Sequence, residues 1–198
     1  MLFLQFINGM VLLVPYPVPG TPCDGTWLPV NLGVQKFFNF ADVKPGDSGE
    51  DTLSLHLNNN DAWLRLVIDG VTDTEGNPAC TEPELAAESN CPQTNGDLRS
   101  QMLFSVWFDG IEGTTYACNN IQDSGEQTII AAGPIDLAGE IWNLKDYNEM
   151  YLKGGETACF GIKWELPSTV GNNAQTDTFG FNASFQVVQY RNNPNATF

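Results

Sequence analysis

The sequence predicts an all-β protein built as an antiparallel β-sandwich, and three observations support that prediction. Apolar and polar residues alternate with a period of two in several segments, which is the pattern of half-buried strands. Turn-forming residues separate these segments at short intervals, as they do in sandwiches. The chain has 198 residues, of which 42% are hydrophobic, so it is long enough and apolar enough to bury a core.

Five strands are predicted from this alternation, and they cover 53–57, 64–68, 102–108, 158–166 and 178–190. Turn residues such as Pro, Gly, Asn and Asp lie between them at 44–47, 58–61, 109–110, 153–155 and 170–173. Residues 135–150 have a weak helical pattern, which predicts a short helix on a crossing loop. Residues 71–98 are predicted to be a long loop that a disulfide or a bound ion must order.

The first 14 residues are almost entirely apolar, and a proline-rich spacer follows them. We therefore predict an N-terminal segment over 1–22 and a sandwich domain over 23–198. The apolar face of an extended strand would consist of the even positions Leu2, Leu4, Phe6, Met10, Leu12 and Val14. Such a segment is suited to completing a sheet in a neighbouring subunit, as a donor strand. The alternatives are an ordinary first strand of the same domain and a residual signal sequence.

Acidic residues outnumber basic ones by 24 to 8, which gives a formal net charge of −16. This charge repels phosphate backbones and anionic membrane surfaces, so nucleic-acid binding is excluded. The N-terminal apolar run is also too short to span a membrane. Charged residues make up only 16% of the chain, and the sequons at Asn182 and Asn195 predict N-glycosylation. Both features favour a secreted protein at the cell surface.

The five cysteines include no C-x-x-C pair, which favours disulfides over a zinc site or thioredoxin-like chemistry. Cys80 and Cys91 are predicted to staple the long loop. Cys118 and Cys159 are paired by elimination, because Cys23 lies near the N-terminal segment. Spacing alone leaves other connectivities open.

The chain is predicted not to be an enzyme and to require no cofactor. Its single histidine, His56, falls on the polar side of a predicted strand, where we expect an exposed residue rather than a catalytic base. One histidine cannot build a histidine-based zinc site, and no G-x-S-x-G elbow occurs.

Calcium is the one ion that the acidic loops favour, because hard cations need only clustered carboxylate and carbonyl oxygens. The candidate ligands are Asp69, Asp73, Glu75 and Asn77, with Asp109 and Glu112 as a second set. None of them matches an EF-hand loop. The alternative is that these acidic loops are merely solvated.

Several fragments occur in the order expected for a known family: Lys44-Pro-Gly-Asp-Ser-Gly49 with Thr52-Leu-Ser-Leu-His-Leu57, Thr81-Glu-Pro-Glu84, Val106-Trp-Phe-Asp-Gly110, and 163–177. Through them the chain resembles the TasA/camelysin family, and its archaeal members in particular, over about 34–190. The resemblance implies a secreted jelly-roll domain that polymerises into biofilm-matrix fibres or pili through an N-terminal donor strand. It also implies a rival function, that of a casein-cleaving metalloprotease, although no catalytic residue carries over.

Residues and resemblance together predict a jelly-roll-like antiparallel β-sandwich with an extended N-terminal donor strand. The predicted function is that of a structural subunit, which forms a head-to-tail homopolymer and bundles laterally with other fibres. The alternatives are a secreted camelysin-like metalloprotease and a monomeric cell-surface adhesion or carbohydrate-binding module. The last of these depends on Trp63 and Trp107, which the alternation places on exposed faces of their strands.

Overall fold

The computed structural model describes residues 43–76, 80–88, 94–115, 117–135, 139–147 and 149–198, together with the backbone of two short strands at 11–13 and 29–30. The strands in chain order are β1 (Val11–Leu13), β2 (Pro29–Val30), β3 (Ser48–His56), β4 (Ala62–Thr74), β5 (Leu103–Ile111), β6 (Gln127–Gly133), β7 (Gly139–Asn143), β8 (Thr157–Glu165) and β9 (Thr178–Gln189). Two short helices, α1 (Glu82–Ala87) and α2 (Leu98–Gln101), lie between β4 and β5.

These strands form two antiparallel sheets. The first has the order β2-β1-β3-β8-β5-β6, and the second has the order β7-β4-β9. The predicted all-β sandwich is therefore confirmed. The six-plus-three arrangement does not by itself confirm a jelly-roll order, which stays a prediction.

The core lies between the two sheets and is rich in aromatic side chains. Phe160 of β8 packs against Phe185 of β9, with ring centroids 4.6 Å apart. Phe104 of β5 meets Phe181 of β9 edge to face at 5.6 Å. Alternate residues of β5 and β9 point into this layer because successive side chains of a strand point to opposite faces. The period-two pattern in the sequence thus reflects the residues that these strands bury in the core.

Five strands match the predicted segments, and they are β3, β4, β5, β8 and β9. The predicted helix over 135–150 is wrong. Within it the structure places β7, followed by one turn of 3-10 helix at Leu144–Asp146. Trp142 and Leu144 are buried in the core, so tertiary packing decides the conformation of this polar stretch rather than its helical periodicity.

The long loop predicted over 71–98 is also shorter than expected. β4 continues to Thr74 by pairing with β9, and α1 lies within the remainder, at Glu82–Ala87. Helix α1 begins with a capping box, in which the side chains of Thr81 and Glu84 satisfy each other's backbone N–H groups.

Both tryptophans that suggested a sugar-binding surface are buried. Trp63 and Trp107 are each 4% exposed. The Trp63 indole donates a hydrogen bond to the carbonyl of Asn193 at 2.7 Å and packs against the stacked rings of Tyr151 and Tyr190. The expectation of exposed aromatic rings at these positions is therefore wrong. These two tryptophans do not form a surface on which a carbohydrate could stack.

Candidate functional site

The sheet edge at β3 is the first candidate site, because it receives the N-terminal strand. β3 pairs with β8 along its whole length, from Ser48↔Glu165 to His56↔Thr157. On its other side β3 pairs with β1, through Val11↔His56, Leu12↔Leu55 and Leu13↔Ser54. The strand made by the apolar N-terminal run thus extends an existing sheet by backbone hydrogen bonding.

In the single chain, β1 pairs with β3 of its own domain, and β2 pairs with β1 on the outer side. Pairing with an adjacent subunit therefore stays a prediction. Of the predicted donor-strand residues, only the backbone of Leu12 is described. The others lie outside the described residues, and they are Leu2, Leu4, Phe6, Met10 and Val14.

One predicted disulfide is confirmed. Cys118, in the loop between β5 and β6, is bonded to Cys159 of β8, and their Cα atoms are 5.3 Å apart. Cys80 is also disulfide-bonded. Its predicted partner, Cys91, lies outside the described residues, so that pairing stays a prediction.

The two sequons occupy different surroundings. Asn182 is half-buried on β9, and its side-chain Nδ2 donates a hydrogen bond to Asp69 Oδ1 at 2.8 Å. A glycan on Asn182 would require that hydrogen bond to change, because Nδ2 is the atom that glycosylation modifies. Asn195 is exposed near the end of the chain. Glycosylation at both positions stays a prediction.

The predicted calcium ligands separate into two groups. Asp69 is exposed and accepts a hydrogen bond from Asn182. Asn77 lies outside the described residues. Asp73, near the end of β4, and Glu75, just after it, belong by contrast to a group of buried and half-buried acids. With Glu84 of α1, Asp97 before α2 and Asp177 before β9, they form what we call the carboxylate cluster.

Backbone and side-chain contacts join the segments that carry the cluster. Oδ2 of Asp177 accepts hydrogen bonds from the N–H groups of Asp97 and Leu98, the second at 3.1 Å. Oε2 of Glu84 accepts from the N–H of Thr81 at 3.1 Å and from the hydroxyl of Thr176 at 3.2 Å. The end of β4, α1, the start of α2 and the start of β9 therefore converge at one place.

Some oxygens of the cluster lack any hydrogen-bond donor although they are buried. They are Oδ1 of Asp73, Oε1 of Glu84 and Oδ1 of Asp177. Glu84 is 0% exposed and Asp177 is 7% exposed. Buried carboxylate oxygens without a donor are costly, so each one calls for an explanation.

The electrostatics of the cluster oppose its ionisation. Burial raises the pKa of Asp177 to about 7, and the Glu75 carboxylate adds to this rise against the lowering effect of the two N–H donors. Burial likewise raises the pKa of Asp73, while Arg99 opposes the rise and the charges of Asp97 and Glu75 reinforce it. Without another cation, the cluster holds its negative charge at a considerable energetic cost.

A carboxylate oxygen of Glu75 and one of Glu84 lie within 4.8 Å of each other, and Cys80 Sγ lies within the same distance of both. Since Cys80 is disulfide-bonded, its sulfur is not a thiolate and is a poor metal ligand. The arrangement thus offers oxygen ligands to a hard cation.

Sequence reasoning identified Asp73 and Glu75 but missed Glu84, Asp97 and Asp177. These residues are far apart in the sequence, and the pairing of β4 with β9 together with the hydrogen bonds of Glu84 and Asp177 brings them together. A local signal did exist for Glu84, because Thr81-Glu-Pro-Glu84 has the form of a capping box. In that motif one oxygen of Glu84 accepts the capping hydrogen bond, while the other oxygen has no donor.

A second acidic group surrounds Asp109, which is 0% exposed. Asp109 Oδ2 accepts from the N–H of Asn120 at 2.9 Å, and burial raises its pKa. Glu126 and Asp123 are its charged neighbours. Glu112, the other acid of the second predicted set, is exposed.

His56 accepts or donates a hydrogen bond through Nδ1 to the hydroxyl of Thr157 at 3.0 Å. This contact ties β3 to β8. This contact does not test whether the protein has catalytic activity.

Among the described residues, neither helix has the length and apolar character needed to cross a bilayer. Comparisons of the sequence with protein-family models and with curated proteins find no match.

Proposed function

We propose that this protein is a structural subunit of an extracellular filament, in which the N-terminal strand of one copy adds to the β3 edge of the next. The observation that carries the proposal is the pairing of β1 with the side of β3 that lies opposite β8. The apolar run and the stiff proline-rich spacer in the sequence supply a strand that can reach beyond its own domain.

The β3 edge is suited to receiving such a strand. Leu53 and Leu55 of β3 are 0% and 2% exposed, so side chains of this strand are part of the hydrophobic core. Edge strands present unpaired N–H and C=O groups that another strand can satisfy. Main-chain hydrogen bonds then supply affinity, and side-chain pockets supply the register.

Exchange between copies needs no new contact. The strand that pairs within one chain can make the same pairs with β3 of a second chain, as in domain swapping. Because the donor and the acceptor are different surfaces, the interaction is heterologous and can continue as an open filament. The Cys118–Cys159 disulfide agrees with the oxidising, extracellular setting that this function requires.

Mixed cysteine crosslinking tests the proposal directly. One preparation carries Val11→Cys and a second carries His56→Cys, since these two positions face each other in the β1–β3 register. After the two are mixed and oxidised, a disulfide between them can form only between chains. We expect covalent dimers on non-reducing gels and filaments by electron microscopy.

Glu50→Cys replaces His56→Cys in the matched control. Glu50 lies six residues away along β3, which is about 20 Å at the usual rise per residue. We expect little dimer with this variant. Equal dimer yields at both positions, or no dimer above the control, would overturn the proposal.

A further inference from the structure

We propose that Asp73, Glu75, Glu84 and Asp177 form a calcium-binding site that joins the end of β4, α1 and the start of β9. This site is separate from the β3 edge, and the inference does not depend on the proposed function. Two kinds of observation support it, which are the geometry of the cluster and the unpartnered buried oxygens within it.

The geometry suits a cation held by oxygen atoms. Carboxylate oxygens of Glu75 and Glu84 lie within 4.8 Å of each other, a spacing that one ion can bridge at the usual 2.3 to 2.6 Å for Ca²⁺–O contacts. Asp177 follows Thr176, whose hydroxyl donates a hydrogen bond to Glu84 Oε2 at 3.2 Å. Asp73 lies opposite Phe179 in the β4–β9 register, two residues from Asp177.

The unpartnered oxygens are the independent observation. Glu84 is fully buried and uses only Oε2 in hydrogen bonds, while Oε1 has no donor. Asp177 likewise uses Oδ2 and leaves the buried Oδ1 without a donor. In each carboxylate the protein satisfies one oxygen and leaves the second available to an ion. Contact with bulk water does not explain these two oxygens, because neither atom is accessible to solvent.

The ligand chemistry selects the ion. Zinc prefers thiolate and imidazole ligands, but Cys80 is oxidised and the only histidine, His56, is on β3. Magnesium requires near-ideal octahedral geometry and retains its water, whereas calcium accepts six to eight oxygens in irregular arrangements. Oxygens from several short segments in a largely buried place therefore favour calcium.

Thermal unfolding tests the site, with Ca²⁺ itself as the probe. The melting temperature of the full chain is measured in EGTA, in CaCl₂ and in MgCl₂ at matched ionic strength. At roughly 100 times the dissociation constant, Ca²⁺ should raise the melting temperature by about 5 to 10 °C. Mg²⁺ should raise it less.

Two conservative variants locate the binding. Glu84→Gln keeps an oxygen for the capping hydrogen bond to Thr81, and Asp177→Asn keeps an oxygen for the N–H groups of Asp97 and Leu98. Each should lose most of the calcium-induced rise. Asp177→Asn should also melt at a higher temperature than the natural chain in EGTA, because it removes a buried charge from the cluster. A merely structural carboxylate would give a lower melting temperature under both conditions.

Asp69→Asn is the matched control, since Asp69 is an exposed acid of the same strand and its replacement retains an acceptor for Asn182. It should respond to calcium as the natural chain does. The proposal is overturned if the natural chain melts at the same temperature in CaCl₂ and EGTA. It is equally overturned if Glu84→Gln and Asp177→Asn keep the full response, which would place calcium elsewhere, for example near Asp109.

Discussion

Gly161 and Trp107 show how closely two residues can depend on each other across neighbouring strands. They face each other in the β5–β8 register. A Cβ atom built on Gly161 would overlap the ring of the Trp107 indole. The absence of a side chain on β8 therefore makes the room in which the buried indole lies.

Gly161→Ala should lower the free energy of unfolding by about 1 to 3 kcal/mol, because overpacking forces the indole or the backbone to move. Urea denaturation followed by tryptophan fluorescence measures the loss. Gly133→Ala in β6 is the control, since its nearest contact would be an ordinary 3.7 Å to the carbonyl oxygen of Ala131. A loss at Gly161 no greater than at Gly133 would contradict the packing argument.

Asp51 of β3 lies outside both acidic groups and has an expected pH effect of its own. Burial raises its pKa above the ordinary 3.8, although the N–H of Thr52 partly opposes the rise. The folded state therefore binds the proton more tightly than the unfolded state does. Stability contributed by this group is present at low pH and decreases as the pH rises from 3.8 through the folded-state pKa.

Asp51→Asn should consequently raise the free energy of unfolding at pH 7 and change it little below pH 3, where the natural carboxyl is already protonated. The amide oxygen can still accept from Thr52 N–H, which is 3.0 Å from Asp51 Oδ1. Denaturation at several pH values measures the difference between the two proteins. A difference that does not vary with pH would show that ionisation of Asp51 is not its cause.

At the scale of elements, the Cys118–Cys159 disulfide links the β5–β6 loop to the central strand β8. It closes a sequence separation of 41 residues. The chain-entropy relation gives about 4 kcal/mol for a loop of this length. Replacing both cysteines with serine should lower the free energy of unfolding by roughly 2 to 5 kcal/mol, measured as a shift of the guanidinium midpoint.

Reducing agent provides the control for that double variant. It should destabilise the natural protein more than the variant, because both proteins retain the disulfide of Cys80 and only the natural protein has the Cys118–Cys159 bond. If the variant and the oxidised natural protein unfold at the same midpoint, the bond contributes nothing to stability.

The elements that the sequence predicted correctly are those with a strong alternation over a long segment. β9 is the clearest case, with Phe179, Phe181, Ala183 and Phe185 all buried. β7 was missed because its five residues, Gly139–Asn143, are too few to show a period and include a glutamate. Its conformation depends on pairing with β4, which no local pattern encodes.

For the molecule as a whole, the proposed assembly depends on the N-terminal strand. Deleting residues 1–14 should leave chains that are soluble, destabilised and unable to form filaments, because β3 loses the strand that covers its edge. Sedimentation and electron microscopy measure this. Adding a synthetic peptide of the same sequence should restore thermal stability without restoring filaments.

A shuffled peptide of identical composition is the control, and it should restore neither property. Filaments of normal appearance from the deleted chain would show that assembly uses a different surface.

The candidate sites were predictable only to the extent that they are local in sequence. Asp73 and Glu75 lie in one acidic segment of the sequence and were identified, whereas Asp177 joins them from about a hundred residues away through strand pairing. Asp69 was predicted with them but is engaged by Asn182. Which acid points into the protein depends on the register of two strands, and the local pattern of acidic residues does not reveal that register.

The antiparallel pairing of β1 with β3 also has a mechanical consequence. Its hydrogen bonds run perpendicular to the strands, so tension applied along a filament held by such pairs would load all the bonds of a junction together, in shear. A junction of this geometry resists pulling better than one whose bonds open one after another. Stretching single filaments of the proposed kind should therefore give abrupt rupture at high force. We expect the filament to break between subunits before the disulfide-linked domains extend.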